Sequence, residues 1–194
     1  MLFRSAIKTN GTLWAWGFNF SGQLGDGTTV DKNTPVQVGT GTNWVSVTGG
    51  GSHSAGLRTG GALWIWGSNA YGQIGDATFT GKTSPVQIAA ASVWTSVTLG
   101  SDHTAAIKND GTLWTWGRNT FGGLGDGTTN LRNVPGQLGA LNTWSKVGAG
   151  FFHTVAIKTD GTLWAWGRNI EGEIGDGTTT QRNSPVQVGA ATDW

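Results

Sequence analysis

Short runs in which apolar and polar residues alternate recur along the whole chain. Residues 153–158 have the sequence His-Thr-Val-Ala-Ile-Lys, which places Val155 and Ile157 on one face of an extended strand. Asp160-Gly161 follows, and then a second alternating run over 163–166. Dipeptides of this kind accept positive φ at both central residues, as a type I′ turn requires. The pattern predicts a β-hairpin.

Two further short strands are predicted beside each hairpin. Pro35 begins the run 35–38, and proline is tolerated at the first position of a strand because its missing N–H is not needed there. The run 44–47 is followed by several glycines that lead to His53. No apolar pattern with a 3.6-residue period predicts a helix.

The same pattern recurs every 50 residues. The motif Gly-Thr/Ala-Leu-Trp-x-Trp-Gly begins at Gly11, Gly61, Gly111 and Gly161. All twelve tryptophans occupy three positions of this period: Trp14, Trp64, Trp114, Trp164; Trp16, Trp66, Trp116, Trp166; and Trp44, Trp94, Trp144, Trp194. Four-stranded repeats of this length are typical of propeller blades. We predict an all-β propeller domain over 1–194, with repeats of approximately 1–44, 45–94, 95–144 and 145–194.

The repeats are out of phase with the two ends of the sequence. Phe3 occupies the position of His53 in the period, and Trp194 occupies that of Trp44. Three architectures follow: two chains that close an eight-bladed ring, one chain that closes a four-bladed ring, or a fragment of a longer propeller. We favour the two-chain ring, because uncovered tryptophan-rich faces and strand edges promote association.

Composition and charge exclude several classes of function. The chain has 34 glycines, twelve tryptophans and no cysteine, so no disulfide or cysteine-based zinc site can form. The formal net charge of +1 gives no field that would attract nucleic acid. No 18-residue apolar run is present and residues 1–4 do not resemble a signal peptide, so neither membrane insertion nor a particular compartment is predicted.

Repeated polar residues give weak candidates for metal or anion sites. His53, His103 and His153 could hold zinc, but a structural hydrogen bond within each blade is favoured. The Gly-Asp-Gly/Ala-Thr aspartates lack the spacing of a calcium loop and are expected to cap turns: Asp26, Asp76, Asp126 and Asp176. Four basic residues form a possible ring for an anionic partner, or else solvated charges beside those aspartates: Lys32, Lys82, Arg132 and Arg182. We expect no metal and no cofactor.

Catalytic signals are sparse. Glu171 and Glu173 are the only glutamates, and such a pair could serve acid–base chemistry, although loop positions favour simple surface charge. A hydrolase or lyase with its site in a central channel therefore remains a third hypothesis, behind a protein-interaction scaffold and a structural repeat of a larger protein.

The loops differ among the copies far more than the strands do. Aromatic residues and arginine in loops are typical anchors of protein interfaces. Drift at unconstrained surface positions is the competing interpretation. The hypothetical binding rim comprises Phe18, Phe20, Tyr71, Arg118, Phe121 and Arg168.

The long repeated motif resembles a known family. His-Thr-x-Ala-Ile-Lys-x-Asp-Gly-Thr-Leu-Trp-x-Trp-Gly, followed by Gly-Asp-Gly-Thr-Thr and Pro-Val-Gln-Val, is similar to the regulator of chromosome condensation repeat in its bacterial form. The resemblance implies a propeller, usually of seven blades, that acts through protein contacts, in guanine nucleotide exchange or β-lactamase inhibition. The chain has four repeats, and neither the wedge loop nor the basic tail of the exchange factor. Nucleotide exchange and chromatin binding are therefore not carried over, and the expected partner is an unspecified protein.

Overall fold

The computed structural model describes residues 3–194, which form fifteen strands in four sheets and no helix. The first sheet contains β1 (Phe3–Ile7), β2 (Leu13–Gly17) and β3 (Lys32–Gln37). The second contains β4 (Trp44–Gly49), β5 (His53–Arg58), β6 (Ala62–Gly67) and β7 (Lys82–Ile88). The third contains β8 (Trp94–Leu99), β9 (His103–Lys108), β10 (Leu113–Gly117) and β11 (Arg132–Gln137). The fourth contains β12 (Trp144–Ala149), β13 (His153–Lys158), β14 (Leu163–Gly167) and β15 (Arg182–Gln187).

Every sheet is an antiparallel meander in which neighbouring strands follow one another along the chain. The first strands of the second, third and fourth sheets lie at the inner edge, because β4 contacts β1 and β8, and β12 contacts β8 and β9. The sheets are therefore blades of a propeller, as the sequence predicts. In the first blade, the described residues supply three strands and β1 holds the second position.

The four blades form an open arc. The main packing contacts between blades join consecutive sheets, and no comparable packing joins β1–β3 to β12–β15. Within residues 3–194, no other blade packs on one face of the first blade or on one face of the fourth. The four-bladed ring of a single chain, one of the three architectures considered, is not what the described residues form.

The hairpins form at the predicted places, but the predicted type I′ turn is wrong in three copies. Only Gly60 and Gly61 both have positive φ, whereas Gly11, Gly111 and Gly161 are each preceded by a residue that does not. The reason is a side-chain cap: Asp110 Oδ1 accepts hydrogen bonds from Thr112 N and Oγ1. Asp110 thus keeps an ordinary backbone conformation while Gly111 alone takes the left-handed one.

The outer strand also begins earlier than the predicted 35–38. β3 starts at Lys32, so Pro35 lies inside the strand. It lies within a register shift, because Ala15 pairs with Val36 while Gly17 pairs with Lys32. An irregular edge strand does not need the missing proline N–H in its ladder.

Consecutive blades bury unlike faces against each other. The second blade presents an aliphatic face that includes Leu63 and Ile65, and the third covers it with a tryptophan face that includes Trp94 and Trp116. The ring centroids of Trp94 and Trp116 are 6.0 Å apart. Equivalent clusters fill the other two junctions. The twelve tryptophans were predicted to pack between blades, and those of the three junctions do so.

Glycine allows the closest approach at these junctions. Gly125 has φ +73°, and a Cβ atom there would lie 2.7 Å from the indole Nε1 of Trp166 in the next blade. Gly25 and Gly75 approach Trp66 and Trp116 in the same way. The glycine of the Gly-Asp-Gly/Ala-Thr motif thus combines a left-handed backbone with contact against a large ring.

Candidate protein-interaction face

One end of the arc carries both sets of long or variable loops. Gly49 pairs with Ser54, His53 with Gly67, and Gly67 with Lys82, so the connections that follow β4 and β6 leave the sheet at the same end. The same topology recurs in the other blades. We call this end the loop face. All six residues of the predicted rim lie on it.

The long loops are held in shape by a buried asparagine. The Nδ2 of Asn119 donates to Asp126 Oδ1 and Thr128 O, while its Oδ1 accepts from Leu124 N. Asn19, Asn69 and Asn169 are buried in the same way. The loops are therefore rigid supports for the side chains that they carry outward.

The predicted ring of basic residues is paired with acids inside these loops. Lys32 Nζ lies 3.2 Å from Asp26 Oδ2, and Arg132 Nη2 lies 2.9 Å from Asp126 Oδ2. Lys82 and Arg182 pair with Asp76 and Asp176. Burial raises the pKa of Asp26, but hydrogen bonds from Thr28 and Lys32 outweigh it and lower the pKa overall. Little free positive charge is left at this position of the repeat.

An aromatic cluster spans three blades on the loop face. We define the aromatic rim as Tyr71, Arg118, Phe121, Phe151 and Phe152. The Arg118 guanidinium lies 4.7 Å from the Tyr71 ring centroid and 5.2 Å from that of Phe152. Phe152 contacts the Phe121 ring at 4.9 Å and the Phe151 ring at 4.6 Å between centroids. Phe151 is 65% exposed, so the rim presents apolar surface to solvent.

Two hydrogen bonds within the third blade hold the side chain of Arg118 in place. Arg118 Nη1 donates to Asp102 Oδ2 at 3.3 Å, and Arg118 Nε donates to Thr120 Oγ1 at 3.2 Å. A guanidinium held by a carboxylate and flanked by two rings loses little further freedom when a partner binds. The rim can therefore offer a flat, preorganised cation with aromatic surface around it.

The remaining predicted residues lie apart from the rim. Phe18 and Phe20 stack on each other in the first blade, with ring centroids 6.4 Å apart. Arg168 binds Glu173 and Glu171 in its own loop. Of the six residues, the structure thus brings together Tyr71, Arg118 and Phe121.

Phe151 and Phe152 are functional candidates that sequence reasoning missed. They replace Ser101 and Asp102 of the third copy in the loop after the inner strand. The signal was present, because this is a variable loop position like those from which the rim was predicted. The contact between Phe152 and Phe121 depends on how the fourth blade is rotated relative to the third, and the repeat pattern in the sequence does not specify that rotation.

Two of the three histidines, His53 and His103, bond to the following blade, so the hydrogen bond predicted within each blade is wrong for them. His53 Nε2 lies 3.3 Å from Thr104 Oγ1, and His103 Nε2 lies 3.0 Å from Thr154 Oγ1, so each histidine contacts the following blade. Burial lowers the pKa of His53 to about 3, with the neighbouring His103 adding to the effect, and burial lowers that of His103 to about 4. Across residues 3–194 no three metal-binding side chains come together.

The inner end of the loop face borders a cavity of about 480 Å³. It is lined by Phe3, Arg4, Phe151, Ser101, Ser52 and the glycine run 49–51. Glu171 and Glu173 are bound to Arg168 instead of lining it. Neither glutamate is therefore placed to act as an acid or a base in this cavity, as the third hypothesis of an enzyme with its site in the central channel would require.

The four repeats match known family models. The family model described as "Regulator of chromosome condensation (RCC1) repeat" matches residues 10–57, 60–107, 110–157 and 160–193. A second model of the same description matches 44–73, 94–122 and 144–173. The chain belongs to the regulator of chromosome condensation repeat family. No curated protein is similar enough in sequence to match it.

Solved structures share the fold of this family member at low sequence identity. Human WBSCR16 is 22% identical with a TM-score of 0.87 over 97% of this chain and 51% of its own. Yeast RCC1 (Prp20), solved bound to Kap60, is 22% identical with a TM-score of 0.84 over 97% and 47%. Prp20p of Saccharomyces cerevisiae, studied for binding to Gsp1p and histones, is 23% identical with a TM-score of 0.83 over 97% and 48%. The chain spans about half the length of these relatives.

The described part of this family member contains no helix that is long and apolar enough to span a membrane.

Proposed function

We propose that the chain is a non-catalytic interaction scaffold that binds a protein partner through the aromatic rim. The observation that carries the proposal is the contact of Tyr71, Arg118 and Phe152, which belong to three successive blades. A surface assembled from three blades exists only in the folded arc. It would not be expected of loops that drift independently.

The composition of the rim suits a protein interface. Tyrosine, arginine and other large aromatic side chains contribute most of the binding energy in typical interfaces. Arg118 is held against Tyr71 and Phe152 before any partner arrives, so less ordering is required on binding. The exposed Phe151 ring offers apolar surface at the centre of the arc.

The relatives support an interaction role in general terms. The yeast protein was solved with Kap60, and its binding to Gsp1p and histones has been studied. These partners belong to that protein, which is about twice as long. For this chain we carry over only the class of partner, a protein.

Affinity capture tests this function. Immobilised chain is compared with Arg118→Ala/Phe121→Ala, and Phe20→Ala serves as the matched control because Phe20 is exposed on the same face outside the rim. We expect proteins retained by the chain and by Phe20→Ala to be lost from the double variant. Equal retention by all three proteins would reject the rim, and no retention would favour a purely structural repeat of a larger protein.

We also propose that the scaffold self-associates, two chains closing a ring of eight blades. The support is the pair of uncovered blade faces at the ends of the arc, which are of the two kinds that pack together at every internal junction.

A further inference from the structure

A cavity of about 520 Å³ lies between the third and fourth blades, and no residue of the aromatic rim lines it. The third blade contributes its long loop, β11 and the turn that follows, and the fourth contributes residues of β12 to β15. These two blades pack on each other through a shared buried core, so the cavity belongs to an internal junction of the arc. Cavities of this volume are typical of sites for small organic ligands.

The third copy has a glycine at one position of β11 where the other copies have valine. Gly136 follows Pro135, at the place where Pro-Val recurs in the rest of the sequence. A Cβ atom at Gly136 would overlap the guanidinium of Arg132, so the missing side chain gives this arginine its place on the strand. There Arg132 Nη2 lies 2.9 Å from Asp126 Oδ2. The one carboxylate that lines the cavity is therefore neutralised by an arginine.

Lys158 supplies a second cation to the cavity, and it has no acidic partner. Its Nζ lies 3.6 Å from the Trp164 ring centroid and 5.2 Å from that of Trp144. No carboxylate oxygen of residues 3–194 lies within 4 Å of it. Asp160, two residues further on, accepts hydrogen bonds from Thr162 N and Oγ1. An ammonium group that indole rings partly shield from water attracts an anion more strongly than one at an open surface.

Two neutral polar groups of the cavity are also unpaired within the part of the chain that the structure describes. Gln37 and Gln187 each donate from Nε2 to the carbonyl of a glycine two residues further on. Gln137, at the same position of the period, makes no such bond, and the Ser184 hydroxyl has no partner either. The rest of the wall is largely apolar, with side chains that include Leu138, Leu141, Trp164 and Pro185.

We propose that this cavity binds a small organic carboxylate, with its charge on Lys158 and its apolar body against Leu141 and Trp164. One unpaired cation matches one negative charge. A phosphate dianion would need a second free cation, and Arg132 is engaged by Asp126. A purely apolar ligand would bury the ammonium group without giving it a partner, which costs free energy. The site lies outside the aromatic rim and does not depend on the proposed interaction function.

Titration of the whole chain with a matched pair of probes tests the site. Phenylacetate carries one ring and one carboxylate, and phenylacetamide is its neutral counterpart. In NMR spectra of isotope-labelled protein, the Trp164 indole N–H and the Leu141 backbone N–H report on the cavity, while the Tyr71 backbone N–H reports on the aromatic rim. We expect phenylacetate to shift the first two signals and leave the third in place. Its dissociation constant should be at least tenfold smaller than that of the amide, because only the carboxylate can pair with Lys158.

Three variants locate the binding site. Lys158→Met removes the cation and keeps most of the contact with the rings, and Leu141→Glu adds a negative charge at an exposed position of the cavity wall. Lys146→Met is the matched control, because Lys146 is exposed on β12 of the same blade and does not line the cavity. We expect phenylacetate to bind at least tenfold more weakly to the two cavity variants and equally well to the control. Thermal unfolding confirms that each variant is folded, and Leu141→Glu alone decides if Lys158→Met is not.

Several results would overturn the proposal. Equal binding of phenylacetate and phenylacetamide, or no binding of phenylacetate, would reject a carboxylate site. Binding that Leu141→Glu leaves unchanged, or that shifts only the Tyr71 signal, would place the ligand elsewhere. An equal loss of affinity in Lys146→Met would show that net charge, and not the cavity, attracts the carboxylate.

Discussion

His103 of the third blade and Thr154 of the fourth are joined by a hydrogen bond of 3.0 Å between Nε2 and Oγ1. The Thr154 hydroxyl donates its proton to Gly123 O, so it must accept from the imidazole, whose Nε2 therefore carries the hydrogen. Thr104 connects His53 to Gln73 O in the same manner. Each histidine thus joins two blades as a neutral donor.

The first prediction is that acid weakens the fold well above the pKa values of its carboxylates. Burial lowers the pKa of His53 to about 3 and that of His103 to about 4, against 6.5 in the unfolded chain. Below pH 6.5 these histidines bind more protons in the unfolded chain than in the folded one. Their contribution to the free energy of unfolding is therefore fully present above pH 6.5 and is lost as the pH falls toward 4. We expect a loss of about 2 kcal/mol for each histidine between pH 7 and pH 5.

Urea denaturation at several pH values measures this loss. His53→Gln/His103→Gln is the matched variant, because glutamine cannot titrate and retains a donor for the threonine. Its stability should fall much less between pH 7 and pH 5 than that of the wild type, and the remaining fall comes from His153, whose pKa is also lowered by burial. An equally steep pH dependence in the variant would show that other groups are responsible.

The second prediction concerns the threonine of the same contact. Thr154→Val removes the hydroxyl and leaves His103 Nε2 without its partner in a buried junction. An unpaired buried polar group costs about 1–3 kcal/mol, so the free energy of unfolding should fall by that amount. Thr179→Val, at an exposed loop position, should change it by less than about 0.5 kcal/mol. Equal effects of the two substitutions would contradict the role of the contact.

The third prediction compares two glycines with the same backbone conformation. Gly125 and Gly175 have φ values of +73° and +75°, so alanine carries the same backbone strain at both. Only at Gly125 does the new methyl group meet the Trp166 ring. We expect Gly125→Ala to lose about 1–3 kcal/mol more than Gly175→Ala in the single-chain state, since overpacking costs that much. Similar melting temperatures for the two variants, measured at high dilution, would show that the approach of Trp166 is not close.

The fourth prediction concerns the basic residues over the indole rings. Arg58 lies against both Trp44 and Trp64, while Lys8 lies against Trp14 alone. Arg58→Met keeps most of the apolar contact and removes the charge, and should cost about 0.5–2 kcal/mol. Lys8→Met should cost less in the single chain. A larger loss for Lys8→Met, measured by chemical denaturation, would contradict the difference in ring contacts.

Much of the fold could be predicted because its causes repeat with the period. The tryptophans at 14, 16 and 44 and their equivalents, the Asp-Gly turns and the absence of helical patterning all act locally, and they determine blades of about four strands. The turn type at Asp110-Gly111 could not be predicted, because the Thr112 cap competes with the left-handed conformation that Asp110 could otherwise adopt.

The site was less predictable, because it depends on contacts between blades. Tyr71, Arg118 and Phe121 could be selected as variable loop residues, but nothing in the sequence separates them from Phe18 or Arg168. Their distinction is that Phe152, from the following blade, reaches Arg118 and Phe121. The histidines are a similar case, since their threonine partners lie 51 residues away.

The central claim, that the aromatic rim binds a protein, is tested most directly by titrating a captured partner against matched variants. Binding of the purified partner is measured by calorimetry with the wild type, Arg118→Ala/Phe121→Ala and Phe20→Ala. We expect a dissociation constant at least tenfold larger for the rim variant and unchanged for Phe20→Ala. Identical affinity for the wild type and the rim variant would contradict it.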